Sequence, residues 1–221
     1  MAKYYKGVIG PISGKVGDKV YTIRNGQAYV QSKPKRSTKP PTTAQIIQRA
    51  RFGMVAQFVG PIRNILNQTY SKINRKKEGV NVAIQQIHAD AIIGEYPDFE
   101  IDFAKVTLTR GRLSAPILEM SYSEEHCALQ LSWSTKIDFN SFHDDELIAM
   151  IYCPSLPEKW MILETGIYRA DEKGLIKIPA ELSNREIHTW LFYRSRMQDS
   201  YSQCNYPGNF YLPQIDGHGN E

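Results

Sequence analysis

Apolar and polar residues alternate with a period of two near the start of the chain, in the segment VYTIRNGQAYV. The Asn-Gly dipeptide at positions 25–26 is favoured at the centre of a type I′ turn, which joins two antiparallel strands. A two-residue loop there pairs Ile23 with Ala28, and two residues further out it pairs Tyr21 with Val30. Since these four residues share one face, the pattern predicts a β-hairpin whose apolar face is buried against another element.

A basic linker and then a helical period follow the hairpin. Three prolines in SKPKRSTKPP exclude a central strand over residues 32–41, which are therefore predicted to be extended. Thr42 and Gln45 have the spacing of a capping box, the signature of a helix N-terminus. Three short amphipathic helices are predicted, the last of which ends at Gly94, because apolar residues recur at helical spacing over 47–58, 62–73 and 80–91.

The period returns to two in the second half of the chain. CALQLSW, residues 127–133, alternates strictly, and similar short runs lie at 105–109, 117–120, 146–153, 160–164, 175–178, 187–196 and 201–205. Turn-forming groups such as PSLPEK and DEKG separate them. Short strands at this spacing predict an antiparallel β-sandwich. The last residues, 213–221, are predicted to be a flexible tail.

Composition supports a folded chain without a membrane span. The chain has 221 residues, 42% of them hydrophobic, which is enough for a packed core. No apolar run approaches 18 residues, and the N-terminus lacks the apolar core of a signal peptide. The sequence therefore predicts no membrane insertion and a location in the cytoplasm or in an assembled particle.

The two ends of the sequence carry opposite charge. Residues 1–80 contain 16 Lys and Arg but 2 acids, a net charge of +14, whereas residues 81–221 have a net charge of −10. Such asymmetry is typical of a protein whose basic part meets a polyanion. The alternative is that the basic part docks on the acidic part, within one chain or between subunits.

Known catalytic and metal-binding patterns are absent from the sequence. GPISGKVG departs from a phosphate-binding loop, because three residues separate Gly10 from Gly14 and Val16 follows Lys15. The cluster FHDDE, residues 142–146, is predicted to be a solvated turn. The three cysteines are predicted to be reduced, with Cys127 and Cys153 in the core. We therefore expect no cofactor, no bound metal, no small-molecule substrate and no enzymatic activity.

The N-terminal motifs resemble an uncharacterised bacterial family, chiefly from Bacteroidetes, that is known as a domain of unknown function. The signature of that family runs G-x-x-x-G-K-x-G and then P-x-T-x-x-Q-x-x-x-R-x-x-F, and the matching segments here are GPISGKVG and PPTTAQIIQRARF. The second motif is also similar to segments of phage and prophage structural proteins, in which it precedes a fibronectin-like sandwich. The C-terminal IHTWLFYRSRMQDSYSQCNY resembles the last two strands of a fibronectin type III domain.

The expected fold is α+β. An N-terminal β-hairpin and about three short helices, residues 1–100, precede an antiparallel fibronectin- or immunoglobulin-like β-sandwich, residues 101–212. The fibronectin and phage likenesses imply a structural or protein-interaction protein of a phage-like or mobile-element assembly. A protein partner or self-association is expected in that case.

Candidate binding residues lie in the basic linker and at the start of the first helix. They could contact a polyanion or an acidic protein, and they are Lys33, Lys35, Arg36, Lys39 and Arg49. On the helical wheel Arg49 faces away from the apolar side, whereas Arg51 falls on its rim and is expected to pair within an interface. A nucleic-acid-binding module that uses the basic half is the first alternative function. A carbohydrate-binding sandwich that uses exposed tryptophans is the second.

Overall fold

The chain forms two compact units. The computed structural model describes residues 2–4, 13–24, 26–35, 38–70, 79–134, 140–156 and 158–214. Contacts divide the chain into Met1–Ile46, here called the N-terminal unit, and Ile47–Glu221, here called the main unit. The residues from Ile47 onward, which include α2, α3 and most of α1, therefore group with the C-terminal strands, whereas the sequence pattern predicts a boundary near residue 100.

The N-terminal unit is a four-stranded antiparallel sheet. Its strands are β1 (Ala2–Tyr4), β2 (Gly14–Val16), β3 (Lys19–Arg24) and β4 (Gln27–Ser32), in the order β1-β4-β3-β2. The predicted hairpin is confirmed, since Ile23 pairs with Ala28 and Tyr21 with Val30. Asn25 lies outside the described residues, and Gly26 has the positive φ of 74° that the turn requires.

Three helices follow, namely α1 (Thr43–Val59), α2 (Arg63–Tyr70) and α3 (Gly79–Asp90). The predicted capping box begins α1, because the Thr42 amide donates to Gln45 Oε1 at 3.2 Å and the Gln45 amide donates to Thr42 Oγ1 at 3.4 Å. The predicted end of the third helix at Gly94 is wrong. The chain leaves the helix after Asp90 because β5 (Ile92–Ile93) pairs with β6 (Glu100–Ile101), and Gly94 turns between them with a φ of 81°.

Seven strands form two further antiparallel sheets in the main unit. A four-stranded sheet has the order β10-β9-β12-β13 and a three-stranded sheet has the order β11-β8-β7. The strands are β7 (Leu118–Ser123), β8 (Ala128–Trp133), β9 (Glu146–Tyr152), β10 (Trp160–Tyr168), β11 (Lys173–Lys177), β12 (Glu186–Arg194) and β13 (Asn205–Tyr211). The α+β class is therefore confirmed, with every ladder between these strands antiparallel.

Two predicted strands are wrong. Residues 105–109 contain the end of a 3₁₀ turn, Phe103–Lys105, and then an extended segment outside the sheets. Tyr201 and Ser202 make isolated bridges, and the predicted run overlaps the last strand, β13, only at Asn205; the sequence pattern did not predict β13 itself. Of the predicted tail, residues 213–214 are described and residues 215–221 lie outside the described part of the chain.

The four-stranded sheet is buried on both faces. One face of β9 and β12 packs against the three-stranded sheet, in a core that includes Leu129, Leu131 and Leu191. The opposite face packs against the helices, where Trp190 and Phe192 share a second core with Phe58 and Leu66. Since both neighbours are apolar, β9 and β12 are almost continuously buried rather than alternating.

Candidate interaction surfaces

The predicted binding residues are exposed wherever the structure describes them. Lys33, Lys35 and Lys39 lie in the linker after β4 and are exposed, and the Lys33 amide donates to the Asp18 carbonyl at 2.7 Å. Arg36 lies outside the described residues. Arg49 is exposed on α1, as its position on the helical wheel predicted, and it belongs to the main unit.

The N-terminal sheet has one apolar face that is poorly covered. The strand register places Val16, Tyr21, Ile23 and Val30 on this face, hereafter the hairpin face. Val16 is 58% exposed and Ile23 is 42% exposed. Among the residues of this unit whose side chains are described, none is buried. The side chains described in this sheet therefore form no buried core.

Charge distinguishes the two units further. The N-terminal unit contains nine Lys and Arg and a single acid, Asp18, which gives a net charge of +8. The main unit has a net charge of −4. A basic unit with an exposed apolar face suits a partner that is acidic and offers apolar contacts.

A groove with a volume of about 700 Å³ runs between α1 and β10 in the main unit. Phe58, Tyr152 and Trp160 form its aromatic floor, with ring centroids 5.0–5.1 Å apart. The Trp160 indole Nε1 donates to the Phe58 carbonyl at 2.7 Å, which fixes the ring at the edge of the groove. The other lining residues are Met54, Gln57, Pro61, Ile62, Ile101, Glu158, Lys159 and Ile162.

Strand β10 forms an open edge beside this groove. It is the outermost strand of its sheet, and it pairs only with β9 among the described residues. The Cys153 amide donates to the Lys159 carbonyl at 2.8 Å, so residues 159, 161 and 163 direct their backbone groups toward β9. The backbone groups of Trp160, Ile162 and Glu164 consequently point away from the sheet. The sequence predicted this strand but carried no signal of its edge position.

The acidic turn at residues 142–146 differs from its prediction. Asp145 is fully buried rather than solvated, and its Oδ2 accepts from Arg169 Nε at 3.1 Å and from the Phe142 amide at 3.0 Å. The Arg169 guanidinium also donates to the Ser114 carbonyl at 3.0 Å and lies 3.8 Å from the centroid of the Tyr193 ring. Asp145 therefore forms a buried ionic contact with Arg169, whereas Phe142, His143 and Asp144 are exposed, as predicted for a solvated turn.

Burial dominates the titration of this contact. Desolvation raises the pKa of the Asp145 carboxyl above its usual range, although the Phe142 amide and the Arg169 guanidinium act in the opposite direction. Desolvation also raises the pKa of Tyr193 to about 12. Both groups lie in a packed, hydrogen-bonded environment, so the arrangement is that of a structural contact.

Arg51 lies on the rim of the buried face of α1, as predicted. Its guanidinium lies 4.8 Å from the centroid of the Phe99 ring, a cation–π contact within the main unit. Its Nε atom is buried and makes no hydrogen bond. Arg51 is thus part of the packing of α1 against the β5–β6 region, whereas Arg49 remains available at the surface.

The remaining candidate side chains serve packing. Cys153 is buried as predicted, but Cys127 lies half-buried in a turn with a φ of 45° instead of in a strand. Trp133 and Trp190 are buried, and Trp160 is half-buried in the groove. Across the described ranges, no group of three His, Cys, Asp or Glu side chains has the geometry to hold a metal ion.

Within the part of the chain that the structure describes, no helix combines the length and the apolar character needed to cross a bilayer.

A model for a family of unknown function (DUF6266) matches residues 11–207. No curated protein matches the sequence closely enough to count as a relative. The family match agrees with the resemblance to an uncharacterised family seen in the N-terminal motifs. The bacterial group, the signature and the phage likeness named with that resemblance remain predictions.

Proposed function

The chain belongs to this family of unknown function, and from its geometry we propose that it is a non-enzymatic assembly protein whose N-terminal unit docks on an acidic partner surface. The observation that carries the proposal is the hairpin face, an apolar sheet face in a unit of net charge +8 that has no buried residue of its own among those described. An apolar face of this kind gains stability when a partner removes it from water.

The most economical acidic partner is the main unit of another copy. The main unit carries a net charge of −4, so copies can associate head to tail with opposite charges in contact. A phage-like or mobile-element assembly is one setting for such an arrangement. This setting rests on the sequence resemblance alone.

The main unit is best interpreted as a fibronectin type III-like scaffold. Of its seven strands β7–β13, the first, second and fifth form one sheet and the other four form the second sheet. That distribution, with one core between the sheets, supports the sandwich predicted from the sequence. In this proposal the sandwich supplies rigidity and the N-terminal unit supplies contacts.

Light scattering at two salt concentrations tests the proposal. At about 20 mM NaCl we expect a larger average mass than at about 500 mM NaCl, because salt screens contacts between exposed charges. Reversing Lys33, Lys35 and Lys39 to Glu should abolish the difference. The control is the replacement of Lys173 and Lys177 by Glu, since both residues are exposed in the main unit. This control should leave the difference in mass between the two salt concentrations unchanged or increase it. A mass that does not depend on salt contradicts the proposal.

Nucleic-acid binding is the second candidate, favoured by the exposed Lys33, Lys35 and Lys39 in a unit with one acid. It predicts retention of the full chain on DNA resin at low salt, with affinity that falls steeply as salt rises. The two functions differ in their dependence on the hairpin face. Ile23→Ser should weaken docking on an acidic protein surface and leave binding to phosphates unchanged.

A carbohydrate-binding face has less support than either candidate. Such a face needs a row of exposed aromatic rings, whereas Trp133 and Trp190 lie inside the main unit.

A further inference from the structure

The two edges of the four-stranded sheet are protected differently. At one edge, β13 contains Pro207, which lacks an amide proton, and Gly208 with a φ of 131°, beside a break in its register with β12. Prolines and bulges of this kind prevent an edge strand from pairing with another chain. At the other edge, β10 pairs regularly with β9 from Trp160 to Glu164, and its register shifts only after Glu164.

The regular part of β10 is also apolar and accessible. It reads WMILE, with neither proline nor lysine, and Ile162 is 43% exposed. The outward backbone groups of Trp160, Ile162 and Glu164 can accept a further strand. The groove of about 700 Å³ and a smaller one of about 210 Å³ both include Ile162 in their lining, so side chains of an added strand have space on either side of it.

We propose that β10 pairs antiparallel with β10 of a second copy, about a two-fold axis at Ile162, so that two four-stranded sheets join into one of eight strands. The proposal does not depend on the function proposed above, since it uses another surface and another force. Identical strands satisfy two-fold symmetry without further adaptation. The outward residues 160, 162 and 164 are the ones that such a ladder requires.

The register that this axis sets is self-complementary. Ile162 faces Ile162 of the second copy, and on the opposite side of the sheet Met161 faces Leu163 of the second copy twice. Met161 and Leu163 already pack against the core between the sheets, so the pairing extends that core.

Charges in this register are also compatible. Glu164, the one charged residue of the segment WMILE, lies opposite Trp160 of the second copy, twice by symmetry. Glu164 is 65% exposed and is held in place by Arg194 at 2.8 Å. Glu158 and Lys159 precede β10, which begins at Trp160, so no two like charges face each other in the paired segment 160–164.

The oligomeric state at high salt tests the proposal. At about 500 mM NaCl, where contacts between exposed charges are screened, light scattering of the full chain should give the mass of two copies. Ile162→Lys should halve the mass, because it places two like charges at the axis. Leu175→Lys is the matched control, since Leu175 is 44% exposed on the edge strand β11, and it should leave the dimer intact.

A cross-link tests the position of the axis. Hydrogen-bonded antiparallel partners have Cα atoms about 5.5 Å apart, which lies within the range of a disulfide. Ile162→Cys should therefore form a covalent dimer on mild oxidation, whereas Leu175→Cys and the unchanged chain should not.

Three results would each overturn the proposal. The first is a monomer at about 100 μM, a concentration well above the dissociation constant of a micromolar dimer. The second is a dimer that persists in the Ile162→Lys variant, and the third is the absence of a cross-link in the Ile162→Cys variant. A monomer would leave this edge to a strand of a different protein. A dimer at high salt whose mass does not increase at low salt would contradict only the proposed function.

Discussion

At the scale of single residues, Asp145 and Asp144 form a natural comparison. Asp145 is buried and bonded to Arg169, whereas Asp144 is exposed and lies 3.8 Å from Arg196. Asp145→Asn leaves a buried guanidinium without its counter-charge, and we expect it to lower the free energy of unfolding by about 3 kcal/mol. Asp144→Asn should change it by less than about 0.5 kcal/mol. Urea unfolding of both variants measures the difference, and equal effects would contradict the buried contact.

His188 gives the fold a dependence on pH. It is buried in β12, its ring lies 4.0 Å from the Phe103 ring, and its Nδ1 is 2.8 Å from the Tyr206 hydroxyl. Desolvation lowers the pKa of His188, while Glu186 acts in the opposite direction. The neutral ring is therefore favoured in the folded state, so its contribution is present above the unfolded pKa of about 6.5 and is lost as pH falls toward the folded pKa.

Unfolding at two pH values tests the role of His188. Between about pH 8 and about pH 5 the free energy of unfolding of the unchanged protein should fall by more than that of the His188→Gln variant, which cannot take up a proton at this position. Urea unfolding at both pH values gives the two differences. Equal losses in the two proteins would show that His188 does not titrate with the fold.

At the scale of elements, two helical glycines should respond in opposite ways to alanine. A Cβ at Gly53 in α1 meets nothing within 4 Å, so Gly53→Ala should stabilise the protein by about 0.5–1 kcal/mol. A Cβ at Gly79, the first residue of α3, collides with the Leu66 carbonyl. Gly79→Ala should therefore destabilise it by about 1–3 kcal/mol. Thermal unfolding of the pair checks the signs, and a stabilising Gly79→Ala would mean that α3 can move off α2.

The elements that the sequence predicted are those with a strong local signal. The hairpin follows from the turn at 25–26, and the start of α1 follows from Thr42 and Gln45, because the causes lie within a few residues of their effects. Strand β13 was missed because Pro207 and Gly208 indicate a loop in isolation. At a sheet edge a missing amide proton costs little, so both residues are tolerated there.

The candidate sites were less predictable because most of their features depend on residues that are far apart in the sequence. The exposure of Lys33 and Lys35 could be inferred from the linker alone. The burial of Asp145 depends on Arg169, which is 24 residues away in the sequence. The open edge of β10 depends on the order of strands, which the hydrophobic pattern does not encode.

At the scale of the whole molecule, the helices and both sheets should fold together. Both core clusters lie within the main unit, and one of them joins α1, α2 and α3 to the four-stranded sheet. A fragment of residues 42–214 keeps this core and the capping box, so we expect cooperative thermal unfolding within a few degrees of the full chain. A fragment of residues 101–214 exposes Ile148, Met150, Trp190 and Phe192, and we expect it to aggregate. A soluble, cooperative 101–214 fragment would support the boundary near residue 100 instead.

The double burial of β9 and β12 also bears on how such a protein can evolve. A sheet with one solvent-exposed face needs no cover on that side, so gene duplication can transfer it to a new polypeptide as an independent module. Here the second face of the sheet is covered by residues encoded upstream, so a recombination breakpoint between α3 and β7 would separate the sheet from its cover. We expect the helices and strands to be inherited as one piece, with innovation concentrated in the N-terminal unit.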